Sequence, residues 1–344
     1  METSKDTIID HALAALAGGA LGDALGMPTQ LLSPKQIAES YGNVDDFVAP
    51  TEDHPVSKGL PPGAITDDTE QTLLLGSVLL DSSGGFDHAL WIKALVDWEE
   101  DIRARGGYDL LGPSTKRAID AINRGVAPGE AGRYGDTNGA AMRVAPVGIM
   151  LPPTQELIAM VAETCRSTHN TTIAISAAVA VATMVSCGVA GMKWRDAIPV
   201  ALDACRTAES EGSWVAGGRV SARIAWALSL AEKATSSAER RALFDLVGTS
   251  VASQESVPAA FAVLALADGN CWQAAVIAAN LGGDTDTIGA IACSMAGACG
   301  GYESLPADKI GKLVGFDLNK AKNLATALAD RRLSHMRAHE VRDG

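Results

Sequence analysis

Apolar positions along this chain recur at helical spacing, and the strict alternation of a half-buried strand is nearly absent. The pattern predicts helices at 6–21, 68–81, 87–103, 114–123, 154–165, 171–188, 194–210, 218–233, 239–249, 257–267, 271–279, 287–299 and 320–333. Alanine, the strongest helix former, dominates these segments, and Gly, Pro, Asp or Ser marks their ends. Two stretches stand apart. Between Gln30 and Gly63 the chain is rich in Pro, Gly and Asp and reads as one long irregular segment, of the kind that is usually functional in a compact domain. Between Ile173 and Met192 no residue is charged. Ala, Val, Ser, Thr and Gly make up most of that run, which is too weakly apolar for a membrane span, so it is expected to form a buried central helix. No repeat or linker divides the sequence. The expectation is an all-α protein, a single compact orthogonal multi-helix bundle over residues 1–344 with its core at about 8–330.

Composition narrows the partners. With 47% hydrophobic residues in 344, the chain can bury a large core without disulfides. Its cysteines, at 165, 187, 205, 271, 293 and 299, form no C-x-x-C or Cys/His pair, which argues against a zinc site. Most lie in Ala-rich helical stretches, where a free thiol behaves as a small hydrophobe, and this suits a reducing cytoplasm. The first residues carry acidic side chains and no basic cluster before the apolar run, so a secretory signal is not expected. A net charge of −13 argues against a nucleic-acid polymer as partner. A small phosphorylated ligand stays open, since metals and backbone N–H groups bind phosphate locally.

Two clusters carry the candidate chemistry. Thr66-Asp67-Asp68-Thr69 follows a Pro-Pro-Gly loop and opens an apolar helix, offering oxygen ligands to a hard cation such as Mg²⁺. Thr or Asp in front of a helix also serves as an N-cap, which is the plain structural reading of the same residues. Gly282-Gly283-Asp284-Thr285-Asp286-Thr287 repeats the arrangement, with carboxylates at i and i+2 and a hydroxyl at i+3. A cap explains one of these acids but not both, and uncompensated carboxylates in apolar surroundings are costly. A third segment, Gly135-Asp136-Thr137-Asn138-Gly139-Ala140-Ala141-Met142-Arg143, reads as a cradle for phosphate or ribose oxygens, or as an ordinary turn. His169, in Ser167-Thr168-His169-Asn170, precedes the uncharged helix and is either structural or part of the same site.

In combination and in this order, Gly18–Gly26 (GGALGDALG), Thr66–Thr69 (TDDT), Asn138–Arg143 (NGAAMR), Thr168-His169 and Gly282–Gly289 (GGDTDTIG) resemble the ADP-ribosylglycohydrolase family over about residues 8–330. That family includes hydrolases acting on ADP-ribosylated dinitrogenase reductase and on ADP-ribosyl-serine or -arginine. Leu111–Lys116 (LGPSTK) and Glu255–Pro258 (ESVP) look closest to a bacterial subgroup encoded beside nucleoside kinases. The resemblance implies a bundle with a metal-containing cleft and two Mg²⁺ per chain, for which Mn²⁺ can substitute. It places Thr66, Asp67 and Asp68 on one ion and Asp284, Asp286 and Thr287 on the other. It implies catalytic roles for Asp67, Asp68 and Asp286, and substrate contacts from Asp136, Thr137, Asn138, Gly139 and His169. The partner it implies is an ADP-ribosylated substrate or a ribosyl small molecule. The residues themselves argue for a cytoplasmic protein without a membrane or nucleic-acid partner; the sequence leaves the oligomeric state open, with a monomer favoured.

One position departs from the pattern. Where hydrolysing members carry Glu after the first glycine motif, this chain has Gln30, whose amide cannot take up a proton. Another carboxylate, for which Glu70 three residues after Asp67 is a candidate, or the metals alone would then activate water, or the protein binds without turnover. Three readings stay open: hydrolysis of an ADP-ribosyl N- or O-glycosidic bond, a nucleoside or ribosyl N-glycosidase, and an ADP-ribose-binding protein without turnover.

Overall fold

The computed structural model describes residues 3–82, 85–104 and 112–343. Every helix expected from the apolar pattern is present, and among the described residues there is no strand, only three isolated bridges. Residues 105–111, which include Leu111 of the LGPSTK segment, lie outside the described residues.

The N-terminal helix, Lys5–Gly26, runs five residues beyond its expected end at 21. On propensity alone Gly22 and Gly26 argue against this, but packing overrides it. Gly18, Gly22 and Gly26 recur every fourth residue, so they share one face. That face lies directly on the Thr285–Gly300 helix. A Cβ at Gly22 would sit 2.1 Å from the Gly289 carbonyl oxygen, and one at Gly26 would sit 2.5 Å from Asp286 Cα. The partner helix answers in kind, since a Cβ at Gly297 would fall 2.2 Å from the Ala14 carbonyl oxygen. The two backbones therefore touch, and the end of the first helix lies beside the start of the second.

The uncharged segment forms the Thr172–Val189 helix, buried at every position from Ile173 to Val189. By length and composition this helix and the N-terminal one could cross a membrane, but 94% and 78% of their apolar windows are buried inside the protein. Small residues again set the contacts: Gly188 meets the Ala298 backbone, and Gly148 meets the Ala182 carbonyl. The C-terminal helix, Leu318–Asp343, contributes a buried arginine. Arg332 donates to the carbonyls of Gly148 and Leu151 (3.1 and 2.7 Å) and to that of Ser186 (3.2 Å), which satisfies backbone groups at the ends of two helices.

The segment from Gln30 to Gly63 is not wholly irregular, because it holds an eight-residue helix, Pro34–Tyr41. Its signal lies in the cap rather than in periodicity. Ser33 and Gln36 form a reciprocal capping box and Pro34 takes the first turn, while Ile37 is the one residue buried. A single anchoring side chain leaves no apolar rhythm to detect. The short helices Pro128–Ala131, Gly139–Met142, Ala145–Met150 and Ala307–Ile310 escape sequence reading because a turn or so of helix is too short to show a period.

Candidate active site

The glycine contact between the two helices brings the acidic motifs together. Asp67 and Asp68 occupy the first turn of the Asp67–Asp81 helix, and Asp286 the first turn of Thr285–Gly300. Thr66 and Asp284 sit at the N-cap positions, yet neither side chain caps its helix. The plain structural reading of these residues therefore fails. Gly282 and Gly283 both have left-handed backbones (φ 81° and 83°), and a Cβ at Gly283 would lie 2.3 Å from the Thr249 carbonyl oxygen. Only glycine makes this turn at no cost, and the turn delivers Asp284 to the site.

Asp23, fully buried, holds the first motif in place. Its carboxylate accepts from the Thr66 N–H (2.9 Å) and hydroxyl (2.7 Å), and from the Thr69 N–H (3.1 Å) and hydroxyl (2.5 Å). Burial pushes its carboxyl up to about 6 against the pull of these four donors. Asp67 is pushed up to about 8, by burial first and then by repulsion from Asp23 and Asp284. Asp68 and Asp286 are held well above the carboxylate range by burial and by their acidic neighbours, and burial also raises Asp284. Among the described residues none of these carboxylates belongs to an ion pair.

Asp67, Asp68, Asp284, Asp286 and Thr287 line one cavity of about 200 Å³, together with Gln30, Thr137, Asn138, Gly139 and His169. As they stand, no three His, Cys, Asp or Glu side chains among the described residues are grouped tightly enough to hold a metal ion. The chemistry of the donor set nevertheless suits a hard cation. Asp68 Oδ1 is buried without any hydrogen-bond partner, and its Oδ2 has only the long approaches of the Thr66 and Thr287 hydroxyls, 3.4 Å each. Buried carboxylates crowded together call for a positive charge, and oxygen ligands favour Mg²⁺ or Mn²⁺.

The other expected site residues divide. Asn138 donates to Asp284 Oδ2 at 2.5 Å and to the Ser256 hydroxyl at 3.0 Å, so it braces the second acidic motif from inside the cleft. Thr137 meets His169 Nε2 at 3.1 Å. At His169 Nδ1 the Thr168 hydroxyl lies at 2.8 Å and an Arg143 N–H at 3.3 Å. Arginine only donates, so Nδ1 accepts and Nε2 carries the proton toward Thr137. Burial, then Arg143 and Arg117, hold this imidazole well below its usual range, so it is neutral. Gly139 packs on the ring, where a Cβ would come within 3.1 Å. Asp136 is exposed and stands outside the cleft lining, its backbone carbonyl taking the Ser253 N–H. Thr66 lies behind the lining as the link between Asp23 and Asp68. Glu70 also stands outside it, with its carboxylate taking the Trp98 indole N–H.

Sequence reading passed over Asp23 and Arg143 as working residues. A lone carboxylate inside LAALAGGALGDALGM was the available signal for Asp23, since an acid on an apolar helix needs a buried partner. Arg143 is buried behind His169, donates to Gln71 (2.7 Å) and Thr168 (2.9 Å), and lies 5.1 Å from the Trp91 ring centre. Nothing in the linear sequence pairs it with those residues.

Comparison with known proteins shows the family and the fold. The family model described as ADP-ribosylglycohydrolase matches residues 4–341. An uncharacterized protein of Escherichia coli strain K12, YegU, is 34% identical over 324 residues, covering 93% of this chain and 96% of that one. The ADP-ribosyl-[dinitrogen reductase] glycohydrolase of Rhodospirillum rubrum is 33% identical over 203 residues, 54% of this chain and 61% of its own. A solved structure described as an ADP-ribosylglycohydrolase-related protein complex shares the fold, with a TM-score of 0.68 at 24% identity over 95% of this chain and 99% of its own. A match along nearly the full length, with both acidic motifs facing one cavity, means that the chain belongs to the ADP-ribosylglycohydrolase family.

Proposed function

We propose that the protein hydrolyses the N- or O-glycosidic bond at the ribose C1 of an ADP-ribosyl group, using two Mg²⁺ ions. The observation that carries this reading is the set of buried carboxylates facing one cavity, with the Asp68 oxygen left unpaired. Thr66, Asp67 and Asp68 would hold one ion, and Asp284, Asp286 and Thr287 the other. When bound, these ions supply Lewis acidity and neutralise the crowded negative charge.

The chain's own residues supply the rest. As the glycosidic bond lengthens, positive charge grows at C1, and the carboxylates of Asp67, Asp68, Asp284 and Asp286 stabilise it electrostatically. Thr137, fixed by neutral His169, and the backbone at Gly139 offer hydrogen-bonding groups for the sugar. With an amide at position 30, a proton released by attacking water has to pass to a carboxylate. Asp67 is suited to this, since it is half-buried where Asp68, Asp284 and Asp286 are buried.

The test is purified protein with Mg²⁺ offered ADP-ribosyl-arginine, ADP-ribosyl-serine and free nucleosides in parallel. Release of ADP-ribose from either ADP-ribosyl compound, abolished by EDTA and restored by Mg²⁺ or Mn²⁺, is the expected result. Turnover of nucleosides alone would replace this reading with a ribosyl N-glycosidase. Tight ADP-ribose binding without turnover, the outcome that Gln30 favours among the alternatives, would make the protein a binder.

A further inference from the structure

Gln30 is 92% buried by its 8% exposure, lines the cleft, and has one hydrogen bond through its side chain. Its amide nitrogen donates to the Ser57 hydroxyl at 2.9 Å. An amide can turn over and exchange its nitrogen for its oxygen, so the question is which end Ser57 requires. The Ser57 hydroxyl, itself fully buried, reaches the Met27 carbonyl at 3.1 Å. A carbonyl only accepts, so the single hydroxyl proton is committed there. Toward Gln30 the serine can therefore only accept, and the amide must present nitrogen to it. Its oxygen then points into the cleft, where no described residue bonds it.

Ser57 is itself held from the backbone. Buried His54 accepts the Ser57 N–H at 2.9 Å and the Val56 N–H at 3.3 Å through Nδ1, and burial keeps this imidazole below its usual range and so neutral. The Gln30–Gly63 segment thus reaches back to fix one side chain of the cleft.

We infer that Ser57 is a positioning residue that locks Gln30 with its carbonyl oxygen toward the substrate, which makes position 30 a permanently neutral acceptor for a ribosyl hydroxyl. The lock itself stands on the hydrogen-bond pattern; only the identity of the ligand group rests on the function proposed above. Two measurements separate them, both on the full-length protein.

The first needs no ligand: exchange of the Gln30 side-chain amide protons by NMR on ¹⁵N-glutamine-labelled protein, with the signal assigned by its loss in Gln30→Leu. Slow exchange in the wild type, at least tenfold faster in Ser57→Ala and slow again in Ser57→Thr, is expected. Equal exchange in wild type and Ser57→Ala overturns the lock. The second is ADP-ribose binding by calorimetry with Mg²⁺. Ser57→Ala and Gln30→Leu should each weaken binding by about 2- to 10-fold, the worth of one neutral hydrogen bond. The double variant should be no weaker than Gln30→Leu, because Ser57 acts only through Gln30. Effects that multiply, or Ser57→Ala binding at full strength, would overturn the positioning role. A wild type that binds no ADP-ribose but keeps the slow amide would retain the lock and remove the ADP-ribosyl substrate.

Discussion

Asp286 illustrates how one side chain serves both chemistry and architecture. It lies in the first turn of its helix, 2% exposed, with its Cα at the Gly26 contact. Changing it to Asn removes charge but little volume, so Asp286→Asn should fold and lose Mg²⁺ affinity, and Asp284→Asn should do the same. Full Mg²⁺ binding by Asp286→Asn in calorimetry would refute its role as a ligand. His169 gives a pH signature. Its folded form resists protonation, whereas the unfolded chain takes a proton near the ordinary value of about 6.5. Below that pH the unfolded state binds more protons, so His169 makes stability fall as acidity rises. The raised carboxylates act in the opposite sense, losing stability as pH rises through their folded values, so the comparison must be between variants. The melting temperature of His169→Gln, less that of wild type, should be more positive at pH 5.5 than at pH 7.5. An unchanged difference would mean that the imidazole takes up its proton in the fold as readily as in the unfolded chain.

At the scale of elements, the decisive contact is between Lys5–Gly26 and Thr285–Gly300. Gly22→Ala places a methyl 2.1 Å from a backbone oxygen that has no side chain to move aside. Overpacking of this kind costs about 1–3 kcal/mol or more, which should lower the melting temperature by several degrees. Because the same contact aligns Asp23 with Asp286, Mg²⁺ binding should weaken as well. Gly19→Ala, in the same helix but with a Cβ meeting nothing nearer than 3.6 Å, supplies the contrast. If Gly22→Ala melts like wild type, the seam is not as tight as described. Long periodic helices and the two acidic motifs were legible in the sequence because each is encoded locally. Pro34–Tyr41 was not, since one buried residue and a capping box leave no periodicity. Asp23 stands within the first glycine motif, but its role as a brace is not legible there, because four donors from Thr66 and Thr69 become its partners only when distant helices meet.

For the molecule as a whole, the sequence revealed the helical class because Ala-rich amphipathic and apolar runs allow little else. It left the cleft's wiring hidden, since pairs such as Asn138 with Asp284 and Arg143 with Thr168 depend on tertiary approach. The buried Arg332 belongs to the same category. Arg332→Ala would take a donor from the carbonyls of Gly148, Leu151 and Ser186, of which Leu151 keeps the Ser186 hydroxyl and Ser186 keeps the Ala190 N–H. A buried group left unsatisfied costs about 1–3 kcal/mol, so a loss of about that size in chemical denaturation is expected for the Gly148 carbonyl, and a loss under 1 kcal/mol would show that water replaces the arginine.

The glycine seam also sets a timetable. The Thr285 hydroxyl donates to the Gly26 carbonyl across 259 positions of chain. A ribosome adding about 5–20 residues per second therefore emits the first helix tens of seconds before its partner exists. Throughout that interval an apolar, Ala-rich face has nothing of its own to rest against, and neither half of the acidic site has its counterpart. Chains released before residue 285 should accumulate as aggregates or chaperone-bound species, so that a competent cleft appears only near the end of synthesis.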